Sequence, residues 1–225
     1  MELFRPGSMV DEISYPLLDS SALVISPSPN RCVYCGLEGE ITRDHIPPKK
    51  LFPKNTRNLI TIPSCQKCNN DFSPLDNRFL QAMRRQSELL KDEAFPMPPL
   101  DDVLLITPNT IRYCENLDFS LTQFDPQTYM AVKMVALKIV WGILCNEYYG
   151  PPVTVEKLKV IYRTPDDLRS DPYLTRIFTS LYYRVITRTI SRNHFEYNLM
   201  RLGKDFICSF QVYQNNFFLG VACTS

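Results

Sequence analysis

The sequence has few glycines, little net charge and no long apolar run. Seven glycines among 225 residues exclude a collagen-like or glycine-rich chain. Lys133 and Lys138 interrupt the longest apolar run, residues 130–144, which falls short of the roughly 18 residues that a membrane span needs. The net charge of +1 does not by itself point to a nucleic-acid or membrane partner. Hydrophobic residues make up 44% of the chain, which is enough for a folded core.

The start of the chain also lacks a targeting signal. The first ten residues contain no basic start followed by an apolar stretch, so we predict no signal peptide and a cytoplasmic protein. Disulfides are rare in the cytosol, where clustered cysteines more often bind a metal ion. Of the eight cysteines, we expect four to be core residues, because they lie among apolar residues: Cys114, Cys145, Cys208 and Cys223.

The other four cysteines form two C-x-x-C pairs. These are Cys32 with Cys35 and Cys65 with Cys68, and 29 residues lie between the pairs. Two such pairs present four thiolates to one tetrahedral ion, so the spacing predicts a structural Zn²⁺ site. Four unrelated buried thiols are the alternative. A thioredoxin-like redox role fits poorly, because there are two pairs and no βαβ pattern around them.

Composition along the chain predicts a mixed α+β protein. We expect an N-terminal arm at residues 1–30, a metal module with a following helix at 31–92, and an α+β domain of unknown role at 101–225. A proline-rich linker at residues 95–100 separates the last two. The predicted helices are 73–91, 127–148 and 172–183, and the predicted strands are 101–106, 110–114, 195–202, 206–213 and 217–223.

Two of the helices and the last three strands have the clearest local signals. Ser73, Pro74 and Asp76 suit the first turn of a helix. Residues 127–148 are apolar on nearly every side, which is typical of a buried core helix, and its lysines should reach solvent or find partners. The last three strands are rich in aromatic and β-branched residues and are separated by turn signals, so they predict an antiparallel meander.

The segment between the two cysteine pairs carries a more specific pattern. Residues 41–49 read ITRDHIPPK, residues 58–64 read NLITIPS, and C-x-x-C-N follows. In this order the segments resemble the HNH endonuclease family, the zinc-braced members of the ββα-metal nucleases. The resemblance covers about residues 31–76. It implies a β-hairpin followed by a helix around one divalent ion, Mg²⁺ or Mn²⁺.

The resemblance also implies roles for four residues. Asp44 matches the metal-binding aspartate and His45 matches the general base that activates water. Asn58 matches the asparagine that holds the hairpin loop and orients the histidine. Asn69 matches the second metal ligand.

The same residues suit phosphodiester hydrolysis on chemical grounds. A histidine near neutral pKa accepts a proton from water, and an ion held by one carboxylate and one amide keeps positions open for phosphate and water. Asp44 and His45 are adjacent, so on a strand they point to opposite faces unless a bend brings them together. Without this context the pair would be interpreted as a surface ion pair, but its position between the two cysteine pairs favours the catalytic interpretation. The other histidine, His194, is expected to be structural.

Basic residues concentrate near this segment. Residues 41–91 contain ten Lys or Arg against four Asp or Glu, in a chain whose net charge is +1. This excess suits a nucleic-acid surface, and we expect Lys49, Lys50 and Arg57 to contact phosphates. A solvated face is the alternative.

Three functions remain open from the sequence. The first is a metal-dependent endonuclease with DNA as the favoured substrate. The second is a non-catalytic zinc-finger module that binds nucleic acid or protein, and the third is an HNH-like nuclease that acts on RNA. Residues 101–225 are candidates for homo-oligomer formation or for binding a regulatory partner. Asp44, His45 and Asn69 favour the first function, because a simple zinc finger does not use them.

Overall fold

The computed structural model describes residues 23–25, 30–91, 103–118, 124–147, 153–185 and 188–224. The predicted arm at residues 1–30 and the predicted linker at 95–100 lie almost wholly outside the described residues. The strands are β1 Leu23–Ile25, β2 Ile41–Ile46, β3 Ile60–Cys65, β4 Val153–Arg163, β5 Arg188–Ser191, β6 Phe195–Leu202, β7 Asp205–Val212 and β8 Asn216–Thr224. The helices are α1 Gln66–Leu89, α2 Pro108–Asn116, α3 Pro126–Glu147, α4 Pro165–Ser170 and α5 Pro172–Arg184.

A β-hairpin and a long helix form the first part of the fold. Strands β2 and β3 pair antiparallel, with Asp44 opposite Ile62 and His45 opposite Thr61. Helix α1 follows β3 directly, so the predicted helix start at Ser73 is wrong. Cys65 caps the helix instead, because its Sγ accepts the backbone N–H of Cys68 at 3.4 Å. The second cysteine pair therefore supplies the helix start.

A six-stranded antiparallel sheet forms the second part. The strand order is β1-β4-β8-β7-β6-β5, and the predicted meander is confirmed as β6, β7 and β8. The strand predicted at residues 110–114 is wrong, because this segment lies in α2. Thr107 and Thr110 form a capping box there and Pro108 occupies the first helical turn, so local capping outweighs the β-branched residues. The strand predicted at residues 101–106 is also wrong for residues 103–106, which form no strand. Residues 101 and 102 lie outside the described residues.

Helix α3 lies between the hairpin and the large sheet, as its apolar surface predicts. On one side Gly142 faces Ile46, and a Cβ at Gly142 would lie 2.5 Å from the Ile46 side chain. On the other side Val140 faces Gly220, where an added Cβ would lie equally close at 2.5 Å. These contacts leave no space for larger residues at either glycine. They fix α3 against both neighbours.

The hydrophobic core is continuous across the two predicted domains. One cluster joins the hairpin, α1 and α3 to one face of the large sheet, and includes Phe72, Trp141 and Phe218. A second cluster joins α2, α4 and α5 to the opposite face. The mixed α+β class with a C-terminal antiparallel sheet is confirmed. The division into residues 31–92 and 101–225 stays a prediction.

Among the described residues, α3 is the one helix long and apolar enough to cross a membrane. Within its most apolar stretch, 67% of the residues are buried inside the protein. A helix buried in this way is consistent with the core of a soluble protein.

Candidate functional site

The four predicted zinc ligands lie together in the structure. The Sγ atoms of Cys32, Cys35, Cys65 and Cys68 all lie within 4.8 Å of one another, and those of Cys35 and Cys65 are 3.9 Å apart. A tetrahedral zinc ion with Zn–S bonds of about 2.3 Å places its sulfur atoms roughly 3.8 Å apart. The cluster therefore fits a structural metal ion such as zinc.

Local backbone geometry shapes the turn of the first cysteine pair and joins it to the hairpin. Gly36 adopts a φ of 71° directly after Cys35, a conformation that glycine reaches without strain. The Gly36 N–H donates to the Cys32 carbonyl at 2.9 Å, and the Val33 N–H donates to the Pro63 carbonyl at 3.0 Å. The turn that presents Cys32 and Cys35 is thus attached to β3, which ends at Cys65, the first cysteine of the second pair.

The thiols of the cluster differ in their ease of ionisation. Burial alone raises the pKa of Cys32, but backbone N–H groups of Cys65, Cys35 and Tyr34 outweigh it and bring the pKa to about 7. Burial and the neighbouring Cys65 raise the pKa of Cys68. A bound cation stabilises all four thiolates together.

We expect the purified protein to contain one zinc ion per chain, and the Cys32→Ser/Cys65→Ser variant to contain almost none. Zinc binding supplies folding free energy on the order of 10 kcal/mol in small zinc modules, so the variant should also lose structure in residues 30–91. Elemental analysis measures the zinc, and Cys223→Ser, at a cysteine outside the cluster, is the control. Absence of zinc from the wild type, or full retention in the double variant, would contradict the assignment.

The Asp44 carboxylate lies in the interior, where it belongs to a charged network. Its Oδ2 accepts a hydrogen bond from the Tyr34 hydroxyl at 2.7 Å and lies 3.0 Å from Lys138 Nζ. Lys138 is fully buried and also contacts Asp76 at 2.9 Å, and its ammonium lies over the Phe72 ring. The expectation that Lys138 finds partners is confirmed. The network joins β2, α1 and α3.

The two predicted ligands of the catalytic ion do not form a pair. The Asn69 amide donates to Thr42 Oγ1 at 3.3 Å, whereas Asp44 faces Lys138. Carboxylate and amide oxygens are chemically suitable for Mg²⁺ or Mn²⁺, but this geometry does not fit an ion held by Asp44 and Asn69. Among the described residues, the four-cysteine cluster is also the single group of three or more His, Cys, Asp or Glu side chains close enough to hold a metal. The roles of Asp44 and Asn69 as ligands of a catalytic ion stay predictions.

His45 lies on the opposite face of β2 from Asp44, as strand geometry requires. The imidazole is half-buried, and no hydrogen bond to it is formed within the described part of the chain. Burial, followed by the charge of Lys49, lowers the pKa of His45 below its usual 6.5. The ring is therefore neutral at pH 7 and able to accept a proton.

The remaining predicted site residues lie at the end of the hairpin where β2 and β3 are connected. Lys49, Lys50, Arg57 and Asn58 are all exposed. Lys50 donates to the Asn77 side chain at 2.9 Å, which holds its ammonium against α1. Asn58 has a φ of 58°, in the left-handed region that asparagine tolerates better than most residues. Its turn position agrees with a role in shaping the loop.

A cavity of about 580 Å³ opens beside this end of the hairpin. Asn58 and Thr61 form one wall, Asn146 and Glu147 at the end of α3 form another, and Arg188 and Tyr197 of the large sheet complete it. Thr61 is the cross-strand neighbour of His45, so the cavity lies one strand away from the predicted general base, which does not line it. Sequence reasoning missed the residues from α3 and the sheet, because no motif surrounds them.

Asp76 should make stability depend on pH. Burial raises its pKa from 3.8 to about 6, with Lys138 opposing the rise and Asp44 adding to it. The folded state then binds this proton more tightly than the unfolded state, so the contribution is present at low pH and is lost as pH rises through 6. Relative to Asp76→Asn, wild type should lose about 1 kcal/mol of unfolding free energy between pH 5 and 7.5.

Urea denaturation of the zinc-loaded proteins at the two pH values measures this difference. Asp71→Asn is the matched control, because Asp71 lies on the same helix and pairs with the exposed Lys67. An equal difference between wild type and Asp76→Asn at both pH values would show that Asp76 does not titrate in this range.

Comparisons with protein-family models, with curated proteins and with solved structures each found no match. Function is therefore inferred from the side chains and their geometry.

Proposed function

We propose that the protein is a metal-dependent endonuclease that hydrolyses phosphodiester bonds of nucleic acid, with DNA as the favoured substrate. The observation that carries this proposal is a neutral, partly accessible His45 on the outer face of the hairpin, close in sequence to exposed basic residues. The cysteine cluster gives the hairpin a rigid base. A catalytic group on a rigid support is pre-oriented for reaction.

His45 acts in this proposal as the general base. Its unprotonated ring nitrogen takes a proton from a water molecule, the resulting hydroxide forms a bond to phosphorus, and the ester P–O bond breaks. The leaving oxygen takes a proton from solvent. Lys49 and Arg57 attract the phosphates of the substrate, and Asn58 shapes the loop beside them.

The proposal includes a divalent ion beside the phosphate. Mg²⁺ or Mn²⁺ would polarise the phosphate and stabilise its added negative charge. Asp44 and Asn69 are the ligands that the resemblance implies. In the structure Asp44 contacts Lys138 and Asn69 contacts Thr42, so the two side chains do not form a ligand pair.

The contact between Asp44 and Lys138 also favours a second function. If Asp44 serves only to pair with Lys138, the hairpin is a non-catalytic zinc module that binds nucleic acid or protein. In this alternative the exposed basic residues provide affinity and His45 has no chemical role. An RNA-directed nuclease is a variant of the first proposal, because the phosphate chemistry is shared.

Zinc-loaded protein incubated with labelled DNA and RNA, with Mg²⁺, with Mn²⁺ or with neither, separates these functions. The nuclease proposal expects cleavage that requires an added ion and is faster on DNA. Faster cleavage of RNA would support the RNA-directed variant. Binding without cleavage under every condition would support the non-catalytic module.

Sedimentation of the same protein tests the proposal that residues 101–225 mediate self-association. Fractionation of cells tests the proposed cytoplasmic location.

A further inference from the structure

The cavity beside the hairpin combines residues from three separate parts of the chain. Asn58 and Thr61 come from the hairpin, Glu147 from the end of α3, and Arg188 from the edge strand β5. Its volume of about 580 Å³ lies in the range of roughly 300–1,000 Å³ that is usual for small-ligand sites. Such a volume suits a ligand of about the size of one nucleotide.

Arg188 and Glu147 form an ion pair in the cavity wall, with Arg188 Nη2 3.8 Å from Glu147 Oε2, the arginine on the outer side and the glutamate on the inner side. The Arg188 side chain is 57% exposed and the Glu147 side chain is 24% exposed. An anionic phosphate is therefore favoured at the outer region near Arg188 and disfavoured near the Glu147 carboxylate. The inner region suits an uncharged group that carries N–H donors.

The Glu147 carboxylate is oriented by its neighbours. The Tyr197 hydroxyl and the Asn146 amide both donate to Glu147 Oε1. The other oxygen, Oε2, lies 3.8 Å from Arg188, which is longer than a hydrogen bond. Oε2 therefore has acceptor capacity for the N–H groups on the edge of a base, as carboxylates have for cytosine N4.

We propose that this cavity binds one unpaired nucleotide of the substrate, with its base against Glu147 and its phosphate at Arg188. The inference rests on the proposed function, because it gives that function a substrate class: nucleic acid that is single-stranded or locally unpaired at the cleavage point. A base enters a cavity of this kind only after it has left the base stack. Thr61 lines the cavity and is the cross-strand neighbour of His45, so the bound nucleotide lies one strand away from the predicted general base.

Binding measured by fluorescence anisotropy, without added Mg²⁺ or Mn²⁺, tests the proposal on the full zinc-loaded chain. The probes are a labelled 12-nucleotide single strand and a duplex of the same sequence, each made as DNA and as RNA to identify the sugar. Arg188→Gln should weaken single-strand binding about tenfold, the loss expected for one charge-assisted hydrogen bond, and duplex binding less than twofold. Arg192→Gln, at an exposed position in the β5–β6 turn outside the cavity, is the matched control. It should change both affinities less than twofold.

A second variant tests the position of the base. Glu147→Gln should change the ratio of affinities for oligo(dC) and oligo(dT) by about fivefold, because it replaces an acceptor with a group that also donates. An unchanged ratio would overturn the placement of the base against Glu147.

The remaining outcomes separate this inference from the nuclease proposal. Equal losses on single strand and duplex, or a loss for Arg188→Gln no larger than for Arg192→Gln, would overturn the subsite even if the protein cleaves nucleic acid. A loss confined to the single strand, in a protein that cleaves under no condition, would support the subsite and overturn the nuclease.

Discussion

Lys138→Met should destabilise the protein by about 3–5 kcal/mol, because it leaves two carboxylates in the interior without their shared cation. Lys138 is fully buried and lies 3.0 Å from Asp44 and 2.9 Å from Asp76. Methionine has a similar length, so the effect reports charge more than volume. Urea denaturation of the zinc-loaded proteins measures the loss.

Two further variants identify the cause of that loss. Lys133→Met, at a half-buried lysine on the same helix, should change stability by at most about 1 kcal/mol. Adding Asp76→Asn to Lys138→Met should recover part of the loss, because the two sites share one interaction. A loss in Lys138→Met no larger than in Lys133→Met, or strict additivity with Asp76→Asn, would contradict the structural role of the network.

His45→Ala should lower the rate of nucleic-acid cleavage by about 10²–10⁴-fold, the usual contribution of a general base. Burial and Lys49 lower the pKa of His45, so the wild-type ring is unprotonated at pH 7 and its removal takes away the proton acceptor. Single-turnover cleavage with enzyme in excess measures the rate without a contribution from product release.

The His45→Ala variant should keep its fold and its zinc. The imidazole lies on the outer face of β2 and is not a member of the cysteine cluster. Zinc content and unfolding free energy close to wild type would show that the lost rate is chemical. A large loss of stability would instead indicate that His45 supports the hairpin.

The sequence predicted the elements whose signals are local. The two C-x-x-C pairs, the apolar helix and the meander each contain their own evidence in spacing or periodicity. The start of α1 could not be placed in this way, because Cys65 caps the helix with a sulfur atom and Ser73 offered a more familiar cap. Strand β4 was not predicted, since lysines and a glutamate interrupt its apolar residues.

The candidate site was predicted in part. Spacing brought the four cysteines together, and strand alternation placed Asp44 and His45 on opposite faces. The burial of Asp44 depends on Lys138 and Asp76, which lie far away in the sequence and carry no motif. The cavity likewise depends on the packing of α3 and β5 against the hairpin. Such contacts follow from tertiary structure, which local patterns do not specify.

The central claim is that His45 is the base of a nucleic-acid hydrolase, and the two histidines of the chain allow one direct measurement. Zinc-loaded wild type, His45→Ala and His194→Ala are compared for cleavage of labelled DNA and RNA with Mg²⁺ or Mn²⁺. His194 lies in the β5–β6 turn and contacts Ser191, and no proposed role is assigned to its imidazole. The account predicts cleavage by wild type and His194→Ala and its loss in His45→Ala. Equal cleavage by all three proteins would contradict it.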